Sequence, residues 1–113
     1  MDRAADPVLK RFQESCLPRL AALYRPKLVL AFDSRVRGDA LDSSDLDVVI
    51  VSEAFRGLPF LERSAKVLAE VDPPFAVDLL CYTPQEFEAK REELGVVSLA
   101  LEEGVTLFSN PGR

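Results

Sequence analysis

Three aspartates stand where a β-strand would not choose them. Asp45 and Asp47 lead into the apolar run Val48 to Val51, and Asp78 is embedded in Val77-Asp78-Leu79-Leu80. Aspartate is depleted in strands, and an uncompensated buried carboxylate costs several kcal/mol. Side chains of a strand alternate, so Asp45 and Asp47 point to one face, about 7 Å apart along the chain. Five aspartates (33, 39, 42, 45, 47) face two arginines (35, 37) between positions 33 and 47, a local balance of −3. Two carboxylates about 4 Å apart repel by about 4 kcal/mol at an effective dielectric near 20. A bound cation relieves that repulsion, and three aspartates with water match the all-oxygen ligation that Mg²⁺ prefers. A purely structural role competes with this one: Asp45 and Asp47 capping the loop and pairing with Arg35 and Arg37, with Asp78 a satisfied edge-strand residue.

Ser34 follows the apolar run Lys27 to Phe32 and opens a turn into a possible short helix, Ser34 to Gly38. A hydroxyl and backbone amides at such a turn form a phosphate cradle, and Arg35 and Arg37 can neutralise a triphosphate. The plain alternatives are a helix cap for Ser34 and solvated surface charge for the arginines. The pattern excludes other chemistries. The chain has no histidine, so it carries no Ser-His-Asp or Cys-His dyad and no His-ligated zinc. Cys16 and Cys81 form no CxxC motif and are expected as buried free thiols. EF-hand spacing and a Walker Gly-Lys-Ser/Thr are absent. In haloacid-dehalogenase phosphatases the apolar strand precedes the Asp-x-Asp pair; here it follows. A net charge of −5 argues against broad nucleic-acid binding and is compatible with divalent metal or a basic partner.

The elements that must position these residues are legible in outline. Asp6-Pro7 reads as a helix start, and Leu9, Phe12, Cys16, Leu20 and Leu23 predict one apolar helical face. Pro18 predicts a kink there or two short helices. Strands are predicted at 27–32, 45–51 and 75–82, with a last one at 105–108. Leu61, Ser64, Ala65, Leu68 and Val71 predict an amphipathic helix after Pro59. Thr83-Pro84-Gln85-Glu86 reads as a capping box opening a helix that stops near Gly95, and Val97 to Glu102 as another short helix. With 113 residues, 48% of them apolar, the chain is expected to form one domain over 1–113, an α+β fold with a small mixed sheet and helices packed on one face. No apolar run approaches a membrane span, and the first residues lack a secretory signal pattern, so a cytoplasmic location is expected.

These residues resemble the DNA polymerase β-type nucleotidyltransferase superfamily. Its pattern is Gly-Ser, ten residues, Asp-x-Asp, then a third Asp on a later strand. This chain has Asp33-Ser34, ten residues, Asp45-Leu46-Asp47, then Asp78, with Ser43-Ser44 before the pair and Asp33 in place of the glycine. The resemblance extends over about residues 8 to 108, and the length is similar to that of the minimal nucleotidyltransferases often encoded beside a HEPN-domain protein. It implies Asp45, Asp47 and Asp78 as ligands of Mg²⁺, two ions in the usual arrangement, with Asp78 completing the site or acting as base. It implies Ser34, with Arg35, Arg37 and Ser44, as the nucleotide-binding set. It further implies ATP as substrate, transfer of AMP to a tyrosine of a partner toxin, and an antitoxin role. The expected partner is a HEPN-domain protein or a second copy of the chain. The alternative is a catalytically weak binding module that neutralises its partner by docking.

Overall fold

A computed structural model describes residues 7–32, 46–93, 101 and 104–110. The chain runs α1 (Pro7–Ser15), α2 (Leu17–Tyr24), β1 (Leu28–Phe32), β2 (Leu46–Val51), a 3₁₀ turn (Glu53–Phe55), α3 (Phe60–Val71), β3 (Val77–Tyr82), α4 (Pro84–Arg91) and β4 (Val105–Ser109). The strands form one sheet in the order β3-β2-β1-β4. β1 is antiparallel to both β2 and β4, whereas β2 and β3 are parallel, so the sheet is mixed as expected.

Pro18 separates α1 from α2, giving two short helices. It sits in the first turn of α2, where its missing amide leaves no bond unmade. Leu9, Phe12, Cys16 and Leu20 are buried on one stripe, in line with their spacing. Leu23 is not: it is 51% exposed, and Tyr24 takes the buried position four residues after Leu20. The tyrosine ring packs 5.4 Å from that of Phe55, and its hydroxyl donates to Glu70 on α3. A buried aromatic with a satisfied polar tip closes this corner of the core better than a leucine could.

The expected stripe on α3 is also rotated. Arg63, Val67 and Val71 are buried, whereas Leu61 is 84% exposed and Ala65 lies at the surface. Burial of Arg63 sets this register. Its Nε donates to Leu58 O at 2.8 Å and its Nη1 to Cys81 O at 3.1 Å, and its two terminal nitrogens grip both carboxylate oxygens of Glu86 at 2.6 and 3.1 Å. Glu86 also closes the capping box with Thr83, as the sequence indicated. Arg63 thus ties α3, the end of β3 and the start of α4 together. Hydrogen bonding from Arg63 holds the Glu86 carboxyl down at about 2.

Alternation sends Leu46, Val48 and Ile50 of β2 into the larger core layer against α1, α2 and α3. Val49 and Val51 face the other side, with Leu30, Tyr82 and Phe87 of α4. Every residue of β2 is buried, which explains its uninterrupted apolar run. Cys16 and Cys81 are buried free thiols; burial pushes the Cys81 thiol up to about 12, which keeps it inert. Strand β3 begins at Val77 rather than Phe75, because Pro73-Pro74 keeps that stretch out of the ladder. Helix α4 ends at Arg91, short of Gly95; the expected helices at Ser34–Gly38 and, apart from Leu101, Val97–Glu102 lie outside the described residues. Among the described residues no helix is long and apolar enough to cross a membrane.

Candidate active site

Strand register brings two of the three aspartates together. β2 and β3 run parallel with Asp47 directly opposite Asp78, and on its other flank Asp47 is opposite Phe32 of β1. Neighbouring strands lie about 4.8 Å apart, and paired residues send their side chains to the same face. Alternation puts both carboxylates on the face that carries Val49, Val51, Leu80 and Tyr82, at the end of the sheet where β2 and β3 begin. The two differ in access: Asp47 is 8% exposed, whereas Asp78, on the edge strand, is open to solvent.

The local sequence produces this pairing. α3 ends at Asp72, which adopts the left-handed conformation (φ 51°) and closes the helix through its N–H to Leu68 O at 2.9 Å. Pro73 and Pro74 prevent continuation. The chain then enters β3 parallel to β2, and the register fixed by the apolar partners Val48↔Leu79 and Ile50↔Cys81 sets Asp47 beside Asp78. A slip of one residue would send the aspartate to the opposite face, into the layer of Leu46 and Val48.

Asp45 directly precedes β2 in the chain, and Ser34, Arg35, Arg37 and Ser44 belong to the segment between Phe32 and Leu46; all five lie outside the described residues, as does Asp33. That segment leaves β1 and returns to β2 at the end of the sheet where Asp47 sits, since Phe32 pairs with Asp47. Among the described residues no group of three or more acidic, cysteine or histidine side chains converges. Asp47 and Asp78 supply two carboxylates, hard oxygen donors of the kind Mg²⁺ takes, and this donor set fits such an ion once a third carboxylate is added.

Beside this pair the structure reveals a feature that the linear reading missed. A cavity of about 330 Å³ lies at the α3–β3 turn, with Leu68, Asp72, Phe75 and Val77 in its wall, and Asp78 belongs to it as well. The available signal was the turn Asp72-Pro73-Pro74-Phe75 immediately ahead of a strand carrying a charged residue.

Comparison with known proteins identifies the family to which this fold belongs. The nucleotidyltransferase domain family matches residues 14–107. MntA of Haemophilus influenzae, described as a protein adenylyltransferase, is 40% identical over 87 residues, covering 74% of this chain and 72% of that protein. A crystal structure from Sulfolobus solfataricus, assigned as a nucleotidyltransferase, superposes with a TM-score of 0.59 at 23% identity over 93% of this chain and 83% of that one. BolA1 from Arabidopsis thaliana shares the fold alone, with a TM-score of 0.51 and 22% identity over 72% of this chain and 96% of its own. The chain belongs to the nucleotidyltransferase domain family.

Proposed function

We propose that this chain transfers AMP from ATP to a hydroxyl of a protein acceptor, with Asp45, Asp47 and Asp78 holding Mg²⁺. The observation that carries the reading is the register of β2 and β3, which sets Asp47 and Asp78 side by side on one sheet face. When bound, the metal neutralises phosphate oxygens and makes the attacking hydroxyl more acidic. Ser34, Arg35, Arg37 and Ser44 hold the triphosphate from the β1–β2 segment. The acceptor oxygen forms a bond to the α-phosphorus. The bond from that phosphorus to the bridging oxygen breaks, and its electron pair leaves with pyrophosphate. The hydroxyl proton passes to solvent by way of Asp78, the exposed member of the pair.

The 40% identity to a protein adenylyltransferase supports a protein as acceptor. We take the partner to be a HEPN-domain toxin, with this chain as the antitoxin acting in the cytoplasm. Asp33 in place of the motif glycine favours a second reading, a docking module with weak catalysis, because its charge would face the phosphates. The test combines calorimetric titration of ATP at saturating Mg²⁺ with mass-spectrometric detection of AMP on a co-expressed partner. Transfer that requires Asp47 supports the enzyme; tight partner binding without ATP binding supports the docking module.

A further inference from the structure

Charge is distributed unevenly over this acidic chain. Lys27, Arg56, Arg63, Lys66, Lys90 and Arg91 are each in an ion pair with a glutamate. Lys10 and Arg11 of α1, Arg19 of α2 and Arg25 at its C-terminal cap form no ion pair with a described residue, and all four are exposed. Glu14 is the acidic residue between positions 7 and 26, which gives that stretch a local balance of +3 in a chain of net charge −5. Arg11 is held against the Phe75 ring, 5.8 Å from its centroid, a contact that leaves its charge in place. Leu9, Phe12, Cys16 and Leu20 turn the inner side of the two helices into the core layer of Leu46, Val48 and Ile50. By strand alternation that layer lies on the sheet face opposite Asp47 and Asp78. The basic surface therefore looks away from the aspartate pair. It is not uniformly polar. Leu23 is 51% exposed, one turn after Arg19 on the same side of α2, with Ala22 exposed beside it.

We propose that the outer surface of α1 and α2 docks an acidic segment of a partner protein, with Leu23 meeting an apolar side chain and Lys10, Arg19 and Arg25 meeting carboxylates. Charge complementarity selects the partner: guanidinium forks match carboxylates, and cations left without a counter-charge on their own chain attract them at longer range. An apolar contact rimmed by charge is the anatomy of a protein interface. A phosphodiester backbone gains nothing from Leu23 and is opposed by Glu14 and by the net charge of −5. A lipid surface needs a broader apolar face than Leu23 and Ala22 provide on a helix of 8 residues. The inference stands apart from the transferase reading, since it concerns the other layer of the molecule and requires no nucleotide.

Direct binding tests it without requiring turnover. A fluorescent peptide of glutamates and leucines, the same peptide with lysines for glutamates, and a short single-stranded RNA are titrated by anisotropy against the full chain. Vesicles of phosphatidylcholine and phosphatidylserine are tested by co-sedimentation. The chain is used as wild type, Arg19→Glu, Lys10→Glu, Leu23→Ser and Arg91→Glu, each checked for folding by circular dichroism. Glutamate suits the first turn of α2, so Arg19→Glu reverses the charge without opposing the helix. Arg91→Glu changes the net charge equally but lies on α4, away from the surface. The acidic peptide is expected to bind best, and more weakly as salt is raised. Its affinity should fall about ten-fold with Arg19→Glu or Lys10→Glu and about three-fold with Leu23→Ser, and stay unchanged with Arg91→Glu. Either charge reversal carries the test if the other variant fails to fold. Absence of binding, or an equal loss with Arg91→Glu, overturns the proposal. Preference for the RNA or the vesicles, or no response to Leu23→Ser, overturns a protein as the partner. Self-association of the chain that Arg19→Glu abolishes, read by sedimentation, would assign the surface to a second copy instead.

Discussion

The two ends of β3 carry charge in opposite ways. At its C-terminal end Arg63 is buried, yet its guanidinium is answered by two backbone carbonyls and both oxygens of Glu86. At its N-terminal end Asp78 is set beside the buried Asp47, like charge against like, by the backbone register itself. A buried charge surrounded by complementary donors and acceptors stabilises and orients the elements it touches. Two carboxylates set side by side at the end of a sheet repel each other, and a cation between them relieves that repulsion. The first cluster ties α3, β3 and α4 together, and the second is the pair on which the proposed function rests.

Substitutions at the two ends can break this contrast. The largest effect is expected from Asp47→Asn, which should lower the proposed AMP transfer by roughly 10²–10³ while the chain still folds. An unfolded variant, or full Mg²⁺-dependent transfer, would place Asp47 in the structural class. Arg63→Ala should do the reverse, losing about 2–4 kcal/mol of stability in urea titrations, with Mg²⁺-ATP affinity of the folded protein retained. Equal damage to nucleotide binding would erase the distinction between the two ends.

Glu86→Gln sharpens the same comparison through pH. The Glu86 carboxyl is held at about 2 in the folded chain, below its usual value near 4.5. Its contribution is therefore complete above about pH 4.5 and is lost as the pH falls toward 2. Because its side chain is 43% exposed, solvent screening reduces the effect to about 1 kcal/mol. Denaturation midpoints of wild type and variant should differ at pH 7 and converge by pH 2–3. The smallest change is expected at Leu61, which is 84% exposed: Leu61→Ser should stay within about 0.5 kcal/mol of wild type. A large loss there would return Leu61 to the core face that helical spacing alone suggested.

Much of the molecule was legible from local pattern. The uninterrupted apolar run of β2 reflects burial on both faces, the capping box at Thr83 and Glu86 formed as written, and Pro18 divided the first helix in two. Where local pattern misled, a polar group had taken a buried place that hydropathy reserves for leucine. Tyr24 displaced Leu23 because its hydroxyl reaches Glu70, and Arg63 turned α3 away from Leu61 because Glu86 waits across the gap. Both partners are distant in sequence, so no window along the chain could reveal them.

The aspartates show the same division. Residue type and pattern showed, from the sequence alone, that Asp47 leads an apolar strand and that Asp78 interrupts another; the expected shared face of Asp45 and Asp47 lies outside the described residues. That Asp78 lies beside Asp47, rather than at the far end of the sheet or on the opposite face, was decided only by the tertiary structure. Strand order and register are set by the packing of Val48, Ile50, Leu79 and Cys81 against the helices, a sum over many apolar contacts between residues far apart in the chain. The cavity beyond Asp78 has the same origin, since it exists only where the end of α3 and the start of β3 meet at an open sheet edge.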